Sequence, residues 1–234
     1  MSNPGDSLTQ VLTRLRAAQA AHTKTAAGNV RLLAVSKTRT AAEVRALATF
    51  QQHAFGENYV QEALEKQRAL ADLLPDLRLE WHLIGHLQSN KCRDAALVFD
   101  WVQTVDRTKL IPLLAQHRPA SMPPLNVLIQ VNIDDEASKS GCAPNAIDML
   151  ADAVVAEPRL ALRGLMAIPA PDPDMERRRN AFHRMRELFD ALRARYPQVD
   201  TLSMGMSEDF ELAIAEGSTM VRVGTALFGA RLSA

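Results

Sequence analysis

Short apolar runs alternate with helical patterns along the whole of this 234-residue chain. Several of the runs are apolar throughout, which is typical of strands that are covered on both faces. The eight runs with strand composition are 30–36, 53–56, 80–85, 100–105, 125–132, 162–168, 200–203 and 219–224. Because helical patterns separate them, a parallel sheet is predicted.

The helical stretches carry recognisable start signals. Residues 40–43 (TAAE) form a capping box, and Pro144 suits the first turn of a helix running to about residue 156. Further helical patterns cover 8–27, 59–74 and 176–196, the last with Phe182, Met185, Phe189, Leu192 and Tyr196 on one apolar face.

Eight strand–helix units predict a single (β/α)8 TIM barrel with an extra N-terminal helix. We expect residues 1–234 to form one domain, because no linker or low-complexity tract interrupts the pattern. The rival is an open doubly wound sheet. That fold would have fewer units and usually a glycine-rich first turn, whereas residues 35–38 (VSKT) contain no glycine.

The balance of charged residues limits the classes of molecule that this protein is expected to bind. The 27 Lys and Arg residues equal the 27 Asp and Glu residues, so the net charge is zero. This argues against nucleic acid or a membrane surface as the main partner. The two isolated cysteines, Cys92 and Cys142, suit a reducing compartment. With no secretory signal in residues 1–6, a cytoplasmic protein is predicted.

Candidate chemistry follows the strand ends, where barrel active sites lie. Lys37 comes directly after the first strand, where desolvation would make its amine available for a Schiff base. The alternative is a lysine that extends to solvent. Turns 203–207 and 223–225 follow the last two strands, at positions where barrels often bind phosphate. The alternative there is ordinary helix capping by Ser207.

Charged residues near these turns need separate consideration. Arg222 lies within the last strand, where it is costly unless it meets a ligand or a carboxylate; the alternative is that it points outward. Glu208 and Asp209 follow Ser207, and we expect them to point away from the turn. His82 and His86 straddle a strand end and would not share a face, so no metal site is predicted.

Taken together, the motifs resemble the YggS/PROSC family of pyridoxal phosphate homeostasis proteins, which is related to the N-terminal barrel of alanine racemase. The resemblance extends from about Leu8 to Arg231. The motifs that carry it are 34–38 (AVSKT), 55–62 (FGENYVQE), 81–91 (WHLIGHLQSNK), 163–166 (RGLM), 202–207 (LSMGMS) and 221–229 (VRVGTALFG).

The resemblance implies specific roles for residues of this chain. It implies that pyridoxal 5′-phosphate (PLP) is the cofactor, held as an internal aldimine on Lys37. The remaining implied cofactor-binding residues are Ser207, Gly224 and Thr225 at the phosphate, Arg222 at the pyridine nitrogen, Asn58 near the ring hydroxyl, and Met166 and Ser203 lining the pocket.

We predict a PLP-binding protein of intracellular PLP homeostasis that is not a committed catalyst. An arginine at the pyridine nitrogen should weaken the cofactor as an electron sink. In the related racemases a second base comes from a C-terminal domain and a dimer partner. We expect no such domain here, because the sequence ends ten residues after Gly224. The chain's only tyrosines are Tyr59 and Tyr196, and Tyr196 belongs to an outer helix.

Two other functions stay open. One is a low-activity PLP-dependent amino-acid racemase, and the other is a cofactor-free aldolase that uses Lys37 as its Schiff base. For the homeostasis role, PLP-dependent apo-enzymes are hypothetical acceptors of the cofactor. We also predict a monomer, and a mobile rim formed by loop 133–142, with Lys139 taking part in gating.

Overall fold

The computed structural model of this chain describes residues 3–22, 29–73, 78–136, 140–170 and 172–229. Within them, eight parallel strands close into a barrel in sequence order. The strands are β1 (Arg31–Val35), β2 (Ala54–Glu57), β3 (Glu80–Leu83), β4 (Trp101–Val105), β5 (Leu125–Gln130), β6 (Leu160–Met166), β7 (Thr201–Ser203) and β8 (Met220–Val223). The predicted barrel is therefore confirmed, with strand bounds that move by at most two residues.

Helices cover the outside of the barrel, and among those described none has both the length and the apolar composition needed to cross a bilayer. The helices are α1 (Pro4–Ala21), α2 (Ala41–Ala48), α3 (Val60–Ala69), α4 (Cys92–Val98), α5 (Leu110–His117), α6 (Ile147–Val155), α7 (Met175–Arg195), α8 (Phe210–Ala215) and α9 (Thr225–Phe228). Short 3-10 turns occupy Ala71–Leu73, Ser89–Lys91 and Pro144–Ala146.

Two helix starts differ from the prediction and one agrees with it. Helix α1 begins at Pro4, earlier than expected, because the Asn3 side chain accepts from the Gly5 N–H and proline suits a first helical position. Pro144 starts a 3-10 turn that leads into α6. The capping box is confirmed, since Thr40 and Glu43 satisfy each other's backbone N–H groups.

The main core lies between the strands and the helices. Helix α7 buries one apolar face, formed by Phe182, Met185, Phe189 and Leu192, as its spacing predicts. Two small clusters stand apart from this core, one with Leu33 and Met220 and the other with Trp101, Leu128 and Met166. Because strand side chains alternate between faces, these clusters fill the inside of the barrel.

A register shift separates Val127 from Leu128 where β5 pairs with β6. Gly164 lies at the shift with φ +145°, and a Cβ there would be 1.9 Å from the Thr201 carbonyl oxygen. Only glycine tolerates both conditions. The RGLM motif therefore has a structural reason, because Gly164 lets β7 approach β6 closely.

Candidate functional site

A cavity of about 710 Å³ opens at the carboxyl ends of the strands, a size typical of small-molecule sites. Its walls come mainly from the segments that follow β1, β2, β3, β6, β7 and β8. Six of the eight residues that the resemblance assigns to the cofactor line it, namely Lys37, Asn58, Ser207, Arg222, Gly224 and Thr225.

Lys37 is half-buried, and hydrogen bonds hold the residues on both sides of it. The Ser36 hydroxyl donates to Glu57 Oε1 at 2.5 Å, and the Thr38 N–H donates to Glu62 Oε1 at 2.5 Å. Thr38 has φ +63°, a rare conformation for a β-branched residue. Such strain persists only where the surroundings impose it, so we infer that these carboxylates fix the path of the chain through Lys37.

Lys66 joins these contacts from α3. Its ammonium donates to the Ser36 carbonyl (2.6 Å), to Glu57 Oε1 (2.7 Å) and to Glu62 Oε1 (2.8 Å), which uses all three of its donors. Both Lys66 and Glu57 are buried, and burial raises the pKa of Glu57 despite the bonds from Lys66 and Ser36. We call Ser36, Glu57, Glu62 and Lys66 the Lys66 cluster.

The Lys66 cluster was not identified from the sequence. Two signals for it exist: Glu57 is the last residue of a buried strand, and Glu62 precedes Lys66 by one helical turn. Neither signal shows that both carboxylates bond to Lys66, next to the backbone that carries Lys37.

Arg222 is buried in the cavity wall, so the alternative that it points outward is wrong. It donates from one terminal nitrogen to Ser203 Oγ (2.7 Å) and from the other to the Ala167 carbonyl (2.7 Å). In the part of the chain that the structure describes, no carboxylate forms an ion pair with it. Burial lowers the pKa of Arg222 to about 10, so the guanidinium remains a cation at neutral pH.

The two glycine-containing turns meet at the cavity. The Gly224 N–H donates to Ser207 Oγ at 3.3 Å, which joins the turn after β7 to the turn after β8. Gly205 shapes the first turn with φ +92°, and a Cβ there would be 2.6 Å from Ala213 Cβ. Backbone N–H groups and hydroxyls thus gather at one edge, an arrangement suited to a phosphate.

Two acidic residues stand in the cavity wall although we expected them to point away. Glu208 and Asp209 both line the cavity. The Asp209 carboxylate accepts from the Met206 N–H at 2.7 Å, so one of its oxygens is directed at the turn itself.

Ser203 and Met166 are not among the residues that line the cavity. Ser203 lies beneath Arg222 and accepts from its guanidinium. Met166 packs with Trp101 and Leu128 inside the barrel. Neither residue is in the cavity wall, so the contact of Ser203 and Met166 with the cofactor stays a prediction.

The rest of the wall was not foreseen. Apolar side chains from several loops form it, and they provide surface for a flat ring; they are Val35, Ile84, Ile168, Pro169, Pro173 and Met206. Arg178 and Asp172 complete it on the α7 side. Sequence reasoning missed these residues because they come from separate segments and carry no shared pattern.

His82 and His86 have different environments. His82 is buried and contacts Glu80 and Gln103, whereas His86 is exposed and lies near Ser140. No group of three or more potential metal ligands assembles among the described residues.

Asp134 joins loop 133–142 to the segment that follows β6 and to α7. Asp134 accepts from the Ala170 N–H at 2.6 Å and from Arg184 at 3.4 Å. Lys139, to which we assign a part in gating, lies outside the described residues, so its role stays a prediction.

Comparison with known proteins gives a consistent result. Residues 11–232 match the family model described as alanine racemase, N-terminal domain. The pyridoxal phosphate homeostasis protein of Pseudomonas aeruginosa is 53% identical over 232 residues, covering 99% of this chain and 97% of that protein. The protein of the same name from Escherichia coli K12 is 50% identical over 231 residues, covering 99% and 98%.

A solved structure adds the ligand of one relative. PipY of Synechococcus elongatus PCC7942, determined with PLP bound, is 37% identical to this chain. It superposes with a TM-score of 0.75 and covers 91% of this chain and 98% of PipY.

Proposed function

This chain belongs to the alanine racemase N-terminal domain family and, within it, to the pyridoxal phosphate homeostasis proteins, and on that premise we propose that it binds PLP and serves in PLP homeostasis. The observation that carries the proposal is the placement of Lys37, Arg222 and the joined glycine turns around one cavity. Each of these residues is a weak indication of function in the sequence, but together they form one site in the structure.

The residues present fit this cofactor. Lys37 supplies the primary amine that would hold the aldehyde as a Schiff base. Ser207, Gly224 and Thr225 would hold the phosphate, and Arg222 would donate to the ring nitrogen. Asn58, which also lines the cavity, would lie near the ring hydroxyl. When bound, PLP supplies an imine-forming carbonyl and an electron-withdrawing ring.

We propose further that the protein is not a committed catalyst. Arg222 is a buried cation without a paired carboxylate among the described residues, and a cation beside the ring nitrogen would disfavour protonation of that nitrogen and weaken the ring as an electron sink. Neither tyrosine of the chain lines the cavity. Tyr59 is 67% exposed, and the hydroxyl of Tyr196, which follows α7, donates to Asp152 of α6. Neither tyrosine of this chain is therefore placed to act as a base at the cavity.

If the protein is not a committed catalyst, as proposed, it should cause little exchange at the α-carbon of amino acids. We expect the PLP-loaded protein in D2O to incorporate deuterium into a panel of L- and D-amino acids no faster than free PLP does. Mass spectrometry of the amino acids measures this, with Lys37→Arg as the matched variant. Exchange that is faster with the loaded wild-type protein and lost in Lys37→Arg would support the racemase instead.

The entrance of the cavity has features that would suit transfer of the cofactor to other proteins. Ile168 and Met206 line the cavity and are partly exposed, so its entrance has an apolar rim. We propose that PLP-dependent apo-enzymes take up the cofactor there.

A further inference from the structure

A line of polar side chains crosses the inside of the barrel from the buried Arg222 to Glu80, whose carboxylate is partly exposed. Arg222 donates to Ser203 Oγ (2.7 Å), and the Ser203 hydroxyl donates to Gln103 Oε1 (2.8 Å). Gln103 Nε2 lies 2.9 Å from His82 Nδ1, and His82 Nε2 lies 2.6 Å from Glu80 Oε1. We call these five residues the polar chain. They come from β8, β7, β4 and β3.

The two ends of the polar chain set the direction of every bond in it. A guanidinium only donates, so Ser203 Oγ must accept from Arg222 and direct its own proton to Gln103. At the other end burial favours a neutral Glu80, but the hydrogen bonds from His82 and Arg31 and the charge of Arg31 lower the pKa of Glu80, so the carboxylate only accepts.

His82 closes the chain between these ends. Burial lowers its pKa, so the imidazole is neutral and carries one proton. That proton belongs on Nε2, facing Glu80, which leaves Nδ1 to accept from the Gln103 amide. All the donors therefore point from Arg222 toward Glu80, and bonds aligned in this way strengthen one another in a low-dielectric interior.

Neighbouring side chains inside the barrel also pack against the polar chain and hold it in place. His82 stacks on Trp101 with ring centroids 5.2 Å apart and an interplanar angle of 11°. Gln103 Nε2 lies 3.2 Å from Met220 Sδ, and both Gln103 and Ser203 are fully buried. Such polar groups are costly in a barrel interior unless they are hydrogen-bonded, and the polar chain supplies the partners of both. Among the described residues, Arg222 connects them to the cavity.

We propose that Gln103 and His82 are positioning residues that orient the Arg222 guanidinium toward the ring nitrogen of PLP, acting through Ser203. The inference rests on the proposed function. The polar chain and the Ala167 carbonyl together hold both terminal nitrogens of Arg222. The remaining N–H groups are then held in one direction, and less rotamer entropy is lost when the cofactor binds.

The test compares PLP with its 1-deaza analogue, in which carbon replaces the ring nitrogen. Gln103→Met keeps the shape of the side chain and removes its hydrogen bonds. We expect this variant to weaken PLP binding by about tenfold and to leave binding of the analogue within about twofold. Gln52→Met is the matched control, because Gln52 is also buried and its side-chain amide donates to the Leu32 and Ala54 carbonyls, outside the polar chain. It should affect both ligands equally.

A second measurement needs no variant and no cofactor. Nitrogen-15 NMR of the ligand-free protein at pH 7 should show His82 neutral with its proton on Nε2. An Nδ1–H tautomer or an imidazolium would overturn the proposed chain.

The outcomes of the binding test separate the two claims. If both ligands attach to Lys37 and Gln103→Met weakens them equally, the inference is wrong and the proposed function stands. If neither ligand attaches to Lys37 of the wild-type protein, the proposed function fails and the inference fails with it.

Discussion

Replacing Lys66 with methionine is expected to lower the free energy of unfolding by about 3–5 kcal/mol. The substitution leaves Glu57 buried without its cation, and it removes the group that holds Glu62 in place for the Thr38 N–H. This is a large share of the ~5–15 kcal/mol that stabilises a typical domain. Chemical denaturation of the wild-type and variant proteins measures the difference.

Matched variants separate the buried charge from a general effect of losing a lysine. Lys109→Met removes an exposed lysine at the start of α5 and should change stability by less than about 0.5 kcal/mol. The double variant Glu57→Gln with Lys66→Met should recover part of the loss, because it leaves no uncompensated charge. A loss below about 1 kcal/mol for Lys66→Met alone would contradict the account of the Lys66 cluster.

Gly164→Ala is expected to destabilise the barrel by about 3–5 kcal/mol, adding overpacking to backbone strain. Its methyl group would be placed 1.9 Å from the Thr201 carbonyl oxygen, so β7 would have to move away from β6. The melting temperature and the denaturation midpoint should both fall, and poor recovery of soluble protein would agree with the same prediction.

Gly229→Ala is the control for Gly164→Ala. Gly229 also has a positive φ, of +81°, but a Cβ there meets nothing within 4 Å. Its substitution therefore reports backbone strain without a clash. If the two variants lose equal stability, close packing of β6 against β7 is not the reason for glycine at position 164.

The fold was readable from the sequence because each unit repeats the same local signals. Every strand run and the capping box at Thr40 reflect preferences within a few residues of chain, and such preferences survive folding. Lys37 and the glycine turns were also predictable, since the strand-end rule places them on one face of the barrel.

Contacts that join distant segments could not be predicted in the same way. Gln103 and Ser203 are 100 residues apart and meet because closure of the barrel directs side chains of β4 and β7 into the same interior. A glutamine in an apolar strand carries no sign of its partner. The same holds for Lys66, whose bond to the Ser36 carbonyl spans 30 residues and depends on how α3 packs. These residues could not be predicted because their partners lie far away along the chain, and not because their secondary-structure propensities are weak.

The most direct test of the central claim is borohydride reduction of the protein after incubation with PLP, followed by peptide mass mapping. The proposed function predicts a visible absorption band that disappears on reduction, and a pyridoxyl-phosphate adduct on the peptide that contains Lys37. The Lys37→Arg variant should show neither the band nor the adduct. The absence of a band in the wild-type protein, or an adduct confined to other lysines, would contradict the proposal and favour the cofactor-free aldolase.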